Sequence, residues 1–118
     1  MNIIAWNCQG LEATRAVYEL TKLVRNKRPQ LLFLIETKRT SREMNWMKVR
    51  WGFKGCFMVD YIERGGDLAL LWEKGKDIKI MSYSQFHIDV CIKGDNNEAE
   101  WRLTGFYGNP ETSRREES

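Results

Sequence analysis

Asn7 and Glu36 are the side chains from which chemistry is first read in this sequence. Each closes a short apolar run, Ile3-Ile-Ala-Trp6 before the asparagine and Leu31-Leu-Phe-Leu-Ile35 before the glutamate. Such runs read as buried strands that hand a polar residue to the rim of a sheet. An amide and a carboxylate on one rim are hard oxygen donors. They suit Mg²⁺, which keeps several waters and takes only one or two protein carboxylates. By itself, a glutamate at that place reads equally well as a solvated strand-end carboxylate.

Whether the two residues share a rim depends on what lies between them. Ala16, Val17, Leu20, Leu23 and Val24 form one apolar stripe at helical spacing, with Arg15, Glu19, Lys22 and Arg25 opposite. Thr14 is the predicted N-cap, and Pro29 stops the helix after Lys27 and Arg28. Strand, helix and strand in so short a stretch make a βαβ unit, whose strands are parallel and whose crossover is right-handed. Parallel strands end on the same sheet edge, so Asn7 and Glu36 are expected together, where ligands of open α/β sheets gather.

A short helix is predicted from Ser41, with Met44 and Met47 on its inner face. The stretch from Lys38 interleaves basic and aromatic residues: Lys38, Arg39 and Arg42, then Trp46, Lys48, Arg50, Trp51 and Phe53. It reads either as a surface that follows a nucleic-acid backbone and stacks bases, or as a solvated charged face over core aromatics. From Gly52 the period changes to two. Residues 56–61, 67–73, 78–84, 86–92 and 100–107 read as strands, punctuated by Gly65-Gly66, Lys74-Gly75 and 93–97. The predicted class is α/β, an α+β sandwich made of a βαβ unit followed by an antiparallel meander. His87 falls on the polar face of its strand, as a solvated histidine.

At 118 residues the chain fits one domain. A net charge of +3 permits contact with nucleic acid without announcing it. Cys8, Cys56 and Cys91 lack metal-ligand spacing and His87 is the one histidine, which argues against a zinc site. Reduced thiols and an intracellular setting, nucleus or cytoplasm, are expected. The longest apolar runs are too short for a bilayer, so no membrane partner is expected.

Four ordered motifs carry a resemblance: Ile4-Ala-Trp-Asn-Cys-Gln-Gly-Leu11, Leu32-Phe-Leu-Ile-Glu-Thr-Lys38, Gly65-Gly-Asp-Leu-Ala-Leu-Leu-Trp72 and Trp101-Arg-Leu-Thr-Gly-Phe-Tyr-Gly-Asn-Pro110. Together they resemble the endonuclease/exonuclease/phosphatase superfamily, with its deoxyribonuclease I-like fold, and within it the endonuclease domain of plant LINE-type retrotransposon polyproteins. The resemblance implies a Mg²⁺-dependent (or Mn²⁺-dependent) endonuclease acting on DNA. It makes Glu36 the metal-binding carboxylate, Asn7 the asparagine lining the phosphate pocket and Tyr107 a hydrogen-bonding group near the scissile phosphate. Lys38, Arg39 and Arg42 become candidate contacts to the nucleic acid.

Two departures qualify that expectation. Gln9 stands where many superfamily nucleases carry an acid. The second half of the fold, with its Gly-Asp-x-Asn element and terminal Asp-His pair, is missing; Gly94-Asp-Asn-Asn97 lies before Tyr107 and reads as a hairpin turn. Residues 1–110 are therefore expected to be a partial domain of this four-layer fold and residues 111–118 a charged tail. Truncation is expected to leave apolar surface, marginal stability and self-association through an exposed core face. Catalysis by the chain alone is expected to be negligible. The alternatives are a non-catalytic nucleic-acid-binding remnant, a phosphatase-branch member acting on a phosphoinositide or other phospholipid, or a gene fragment without function.

Overall fold

The computed structural model describes residues 2–8, 14–59, 67–93 and 100–106. β1 (Ile3–Asn7) leads to α1 (Thr14–Lys27), which returns the chain to β2 (Leu31–Ile35). β1 and β2 pair in parallel, with Ile3 opposite Leu31 and Asn7 opposite Ile35, so this is the predicted βαβ unit. Asn2 fastens the crossover: its side-chain amide donates to the Lys27 carbonyl at 2.7 Å and its backbone N–H to Gln30 Oε1 at 2.8 Å. Thr14, the predicted cap, is itself helical, and the helix ends just before Pro29.

α2 (Ser41–Trp51) starts with a capping box that the sequence reading did not single out. Thr40 Oγ1 accepts the Glu43 N–H at 3.1 Å, and Glu43 Oε1 accepts the Thr40 N–H at 2.9 Å. The bond from the Thr40 backbone is the main reason that the Glu43 carboxyl sits below its usual value. Gly52, at φ +85°, ends the helix in the left-handed conformation that glycine adopts freely. Met44 and Met47 are buried, as their spacing predicted.

The expected single meander is divided. β3 (Gly55–Val59) and β4 (Leu68–Trp72) join the first sheet, whose order is β1-β2-β4-β3. β5 (Asp77–Ser84), β6 (His87–Lys93) and β7 (Trp101–Phe106) form a separate three-stranded antiparallel sheet. A second sheet, where the sequence reading expected one continuous meander, is thus present here. The reason is visible in the burial. Leu68 to Leu71 are all buried, a pattern that fits a central strand covered on both faces, whereas β6 alternates and has one face to bury.

Three layers result. One apolar cluster, including Leu20, Val24, Leu32, Leu34, Met44 and Leu71, lies between the helices and the first sheet. The other, including Leu31, Phe33, Leu68, Leu70, Ile88 and Val90, lies between the sheets. β7 crosses Phe33 at Gly105, where a Cβ would lie 2.8 Å from the ring. Between β1 and β7, each at the end of its sheet, a cleft of about 340 Å³ opens, lined by Ile3, Ala5, Ile35, Leu103 and Phe106 among others.

The outward face of the second sheet is polar and connected. A register irregularity between Ile80 and Ser82 shifts the phase of β5, so that Ser82 pairs with Asp89 and Ser84 with His87. His87 stands on this polar face, as its alternation predicted, half-buried between the two hydroxyls, with Nε2 3.1 Å from Ser82 Oγ and Nδ1 2.7 Å from Ser84 Oγ. Arg102 donates to both Asp89 oxygens, Nε at 2.8 Å and Nη2 at 2.7 Å. That fork, followed by the hydroxyls of Thr104 and Ser82, pulls the Asp89 carboxyl from 3.8 to about 2.

Gly105→Val should overpack Phe33 and lower stability by about 1–3 kcal/mol, read as a lower urea midpoint at unchanged slope. A carboxyl depressed by folding contributes stability that is present above its unfolded value, 3.8, and lost as pH falls toward 2. Asp89→Asn should therefore flatten the acid side of the stability profile in melts followed down to about pH 2.

Candidate functional site

The rim is made by the ends of three neighbouring strands. Asn7 pairs with Ile35, so Asn7 and Glu36, the residue just beyond β2, reach the same edge. The Cys8 N–H donates to the Ile35 carbonyl at 2.8 Å, which carries the β1–β2 ladder to its last rung. Asn7 is exposed and Glu36 half-buried. On the other side of β2 the antiparallel β4 begins where β2 ends, with Leu68 opposite Ile35. The Glu36 N–H donates to the Asp67 carbonyl at 2.8 Å.

Asp67 then reaches two residues further along the loop. Its carboxylate is only 3% exposed, and Oδ1 accepts the Lys38 N–H at 3.1 Å. Thr37, between these anchored residues, is fully buried, and its hydroxyl accepts the Arg39 N–H at 3.3 Å. Glu36 and Lys38 both lie in the left-handed region, at φ +58° and +54°. Side-chain-bearing residues rarely adopt it, at a cost of about 1–3 kcal/mol each, and such residues persist where the surroundings over-determine them, often at functional sites.

Negative charge converges behind the rim. Burial, and then the charge of Asp67, push the Cys8 thiol up to about 12; Glu36 adds to the rise and a backbone hydrogen bond at Ile35 opposes it. Burial likewise raises Cys56 to about 11 against the opposing charge of Lys48. Both thiols stay protonated at neutral pH, so neither is a nucleophile.

Of the predicted site residues, Asn7 and Glu36 are brought together. Tyr107 lies outside the described residues, as do Gln9 and residues 94–97. Phe106, which ends β7, lines the inter-sheet cleft together with Ile35. Lys38 and Arg42 are exposed, whereas Arg39 is half-buried, its guanidinium 3.7 Å from the Glu43 carboxylate. The interleaved aromatics divide. Trp46 is exposed beneath the Arg50 guanidinium, 5.3 Å from its ring centre. Phe53 is buried, and Trp51 Nε1 donates to Thr21 Oγ1 at 3.0 Å, which ties α2 to α1.

Among the described residues no three His, Cys, Asp or Glu side chains gather as a metal cage. One half-buried carboxylate beside an exposed amide is an oxygen donor set that fits Mg²⁺ with its retained waters rather than zinc. Sequence reasoning missed Asp67, placing it merely at the start of a strand. The signal was there: if that strand pairs antiparallel with β2, its first residue must stand beside Glu36.

The same arrangement of helices and sheets recurs in solved structures. The endonuclease domain of TRAS1, a telomere-specific non-LTR retrotransposon, matches with a TM-score of 0.61 at 15% identity, over 93% of this chain and 46% of that one. The AP endonuclease LMAP from Leishmania major matches at 0.61 with 18% identity, over 90% and 39%. Truncated TDP2 from Caenorhabditis elegans matches at 0.57 with 16% identity, over 93% and 47%. The fold is thereby deoxyribonuclease I-like, and the chain spans less than half the length of each of these proteins. No protein-family model and no curated protein matches the sequence. No helix among the described residues is long and apolar enough to cross a membrane.

The thiol chemistry is directly checkable. Alkylation by iodoacetamide at mildly alkaline pH should leave Cys8 and Cys56 unmodified in the folded protein and label both after denaturation, read by peptide mass.

Proposed function

We propose that this chain carries the first part of a Mg²⁺- or Mn²⁺-dependent site for phosphodiester hydrolysis in nucleic acid, of the endonuclease kind. The observation that carries the reading is the meeting of Asn7 and Glu36 at paired strand ends, with Glu36 in a strained backbone conformation. Two of the structures sharing the fold are named as endonucleases, which supports DNA as the substrate class.

In this reading the Glu36 carboxylate holds the cation, and the exposed Asn7 amide hydrogen-bonds a phosphate oxygen. Tyr107 keeps the role that the resemblance implies, a hydrogen bond near the scissile phosphate. The chemistry that a bound Mg²⁺ supplies is stabilisation of charge on phosphoryl oxygens. Lys38 and Arg42, exposed beside the rim, draw the phosphate backbone in, while Arg39 divides its charge with Glu43. Groups that act as a unit in catalysis lose orders of magnitude in rate when part of the set is removed. With Gln9 where an acid would add a second carboxylate, residues 1–118 offer a partial set of groups in this reading, and the turnover expected of them alone is low.

Two measurements test this. Mn²⁺ binding followed by electron paramagnetic resonance should be present in the wild type and weakened at least about tenfold by Glu36→Gln. Plasmid incubated with Mg²⁺ should remain supercoiled; clear nicking that Glu36→Gln abolishes would show that the chain is a competent enzyme by itself.

A second reading, a nucleic-acid-binding remnant without catalysis, is favoured by the exposure of Lys38, Arg42 and Trp46 on one side of the rim and α2. It predicts DNA binding that survives Glu36→Gln. Neutralising Lys38 and Arg42 together should weaken it for every sequence and reduce the salt slope by about 1 per residue.

A further inference from the structure

We propose that Asp67 is a positioning residue for the rim: by accepting the Lys38 N–H, its buried carboxylate holds the Glu36–Thr37–Lys38 loop in the conformation that presents Glu36. The consequence for cation binding rests on the reading of Glu36 given above. The clamp itself does not.

A buried carboxylate is costly unless it is hydrogen-bonded, so Asp67 at 3% exposure needs a structural reason. The loop supplies one. Asp67 engages it twice, through its carbonyl to the Glu36 N–H at 2.8 Å and through Oδ1 to the Lys38 N–H at 3.1 Å. The first bond extends the β2–β4 ladder and is available to any residue at that position. The second requires a short side chain with an acceptor. Within this loop, the two residues whose N–H groups Asp67 holds are the two with positive φ, +58° and +54°; the third such residue that carries a side chain, Arg28, lies just past the end of α1. Without the side-chain bond the Lys38 N–H loses its partner, and only the longer Arg39 N–H to Thr37 Oγ1 bond, 3.3 Å, still spans Lys38; Lys38 is then expected to relax toward an ordinary backbone conformation and to turn Glu36 with it. Because the backbone bond and the β2–β4 pairing survive such a change, the sheet should remain folded.

The alternative role for Asp67 is its charge, which could act on the cation directly. Asparagine separates the two, since its amide oxygen offers the same acceptor without the charge. The expected result is that Asp67→Asn binds Mn²⁺ within about threefold of the wild type, while Asp67→Ala binds about tenfold more weakly, in the range for groups that support metal ligands. Hydrogen exchange at the Lys38 amide should be at least about tenfold faster in Asp67→Ala and near wild type in Asp67→Asn. Should Asp67→Ala not fold, Asp67→Leu removes the acceptor while keeping the branched outline of the side chain, and is read the same way. Equal loss of Mn²⁺ binding in Asp67→Asn and Asp67→Ala, or unchanged Lys38 exchange in Asp67→Ala, overturns the proposal. If the wild type binds no Mn²⁺ at all, the cation reading fails, and the exchange measurement still decides whether the clamp exists.

Discussion

Everything near the rim depends on β2 being occupied on all sides. Both its edges are hydrogen-bonded, to the parallel β1 and the antiparallel β4. Both its faces are covered, Leu32 and Leu34 by the helices and Leu31 and Phe33 by the second sheet. Burial of each such side chain contributes about 1.5–3 kcal/mol, so a slip of one residue along β2 exchanges the two faces' packing at once. That constraint fixes the height at which the strand ends. Asn7 arrives from one neighbour, Asp67 from the other, and Glu36 follows β2 itself.

The first half of the chain was largely legible because its geometry leaves few choices. The apolar stripe of α1, the pure apolar run of β2 and the Met44–Met47 spacing each have one economical reading, and a βαβ crossover puts Asn7 beside Glu36. The second half was legible as strands but not as a topology. A strand apolar on both faces announces that it is central without saying whose neighbour it is. Hence β4 was read as part of a meander, and Asp67 as a strand start. Trp51 and Phe53 were ambiguous for a related reason, since an aromatic beside basic residues can be core or contact surface until the helix face is known.

The second sheet shows how a single local event redirects chemistry. Ile78 and Ile80 face the core, and strict alternation would send Ser82 and Ser84 the same way. The irregularity at Met81 reverses the phase. The two serines then meet His87 and Asp89 on the outer face, and Tyr83 turns toward Phe57, ring centres 5.1 Å apart and edge-on. A bulge of this kind carries little signal in composition, so neither the polar network nor the aromatic pair was open to a reading of residue periodicity alone.

The placement of β4 also has a consequence in time. β1, α1 and β2 can assemble from near neighbours in the chain, whereas β4 must close a longer loop to reach β2 and does so at greater entropic cost. Until it docks, no Asp67 stands beside Glu36, and the left-handed turns at Glu36 and Lys38 lack the two bonds that Asp67 makes to their N–H groups. The rim is therefore complete only when β4 is paired with β2, and the amide of Lys38, bonded to Asp67 across that pairing, reports on it.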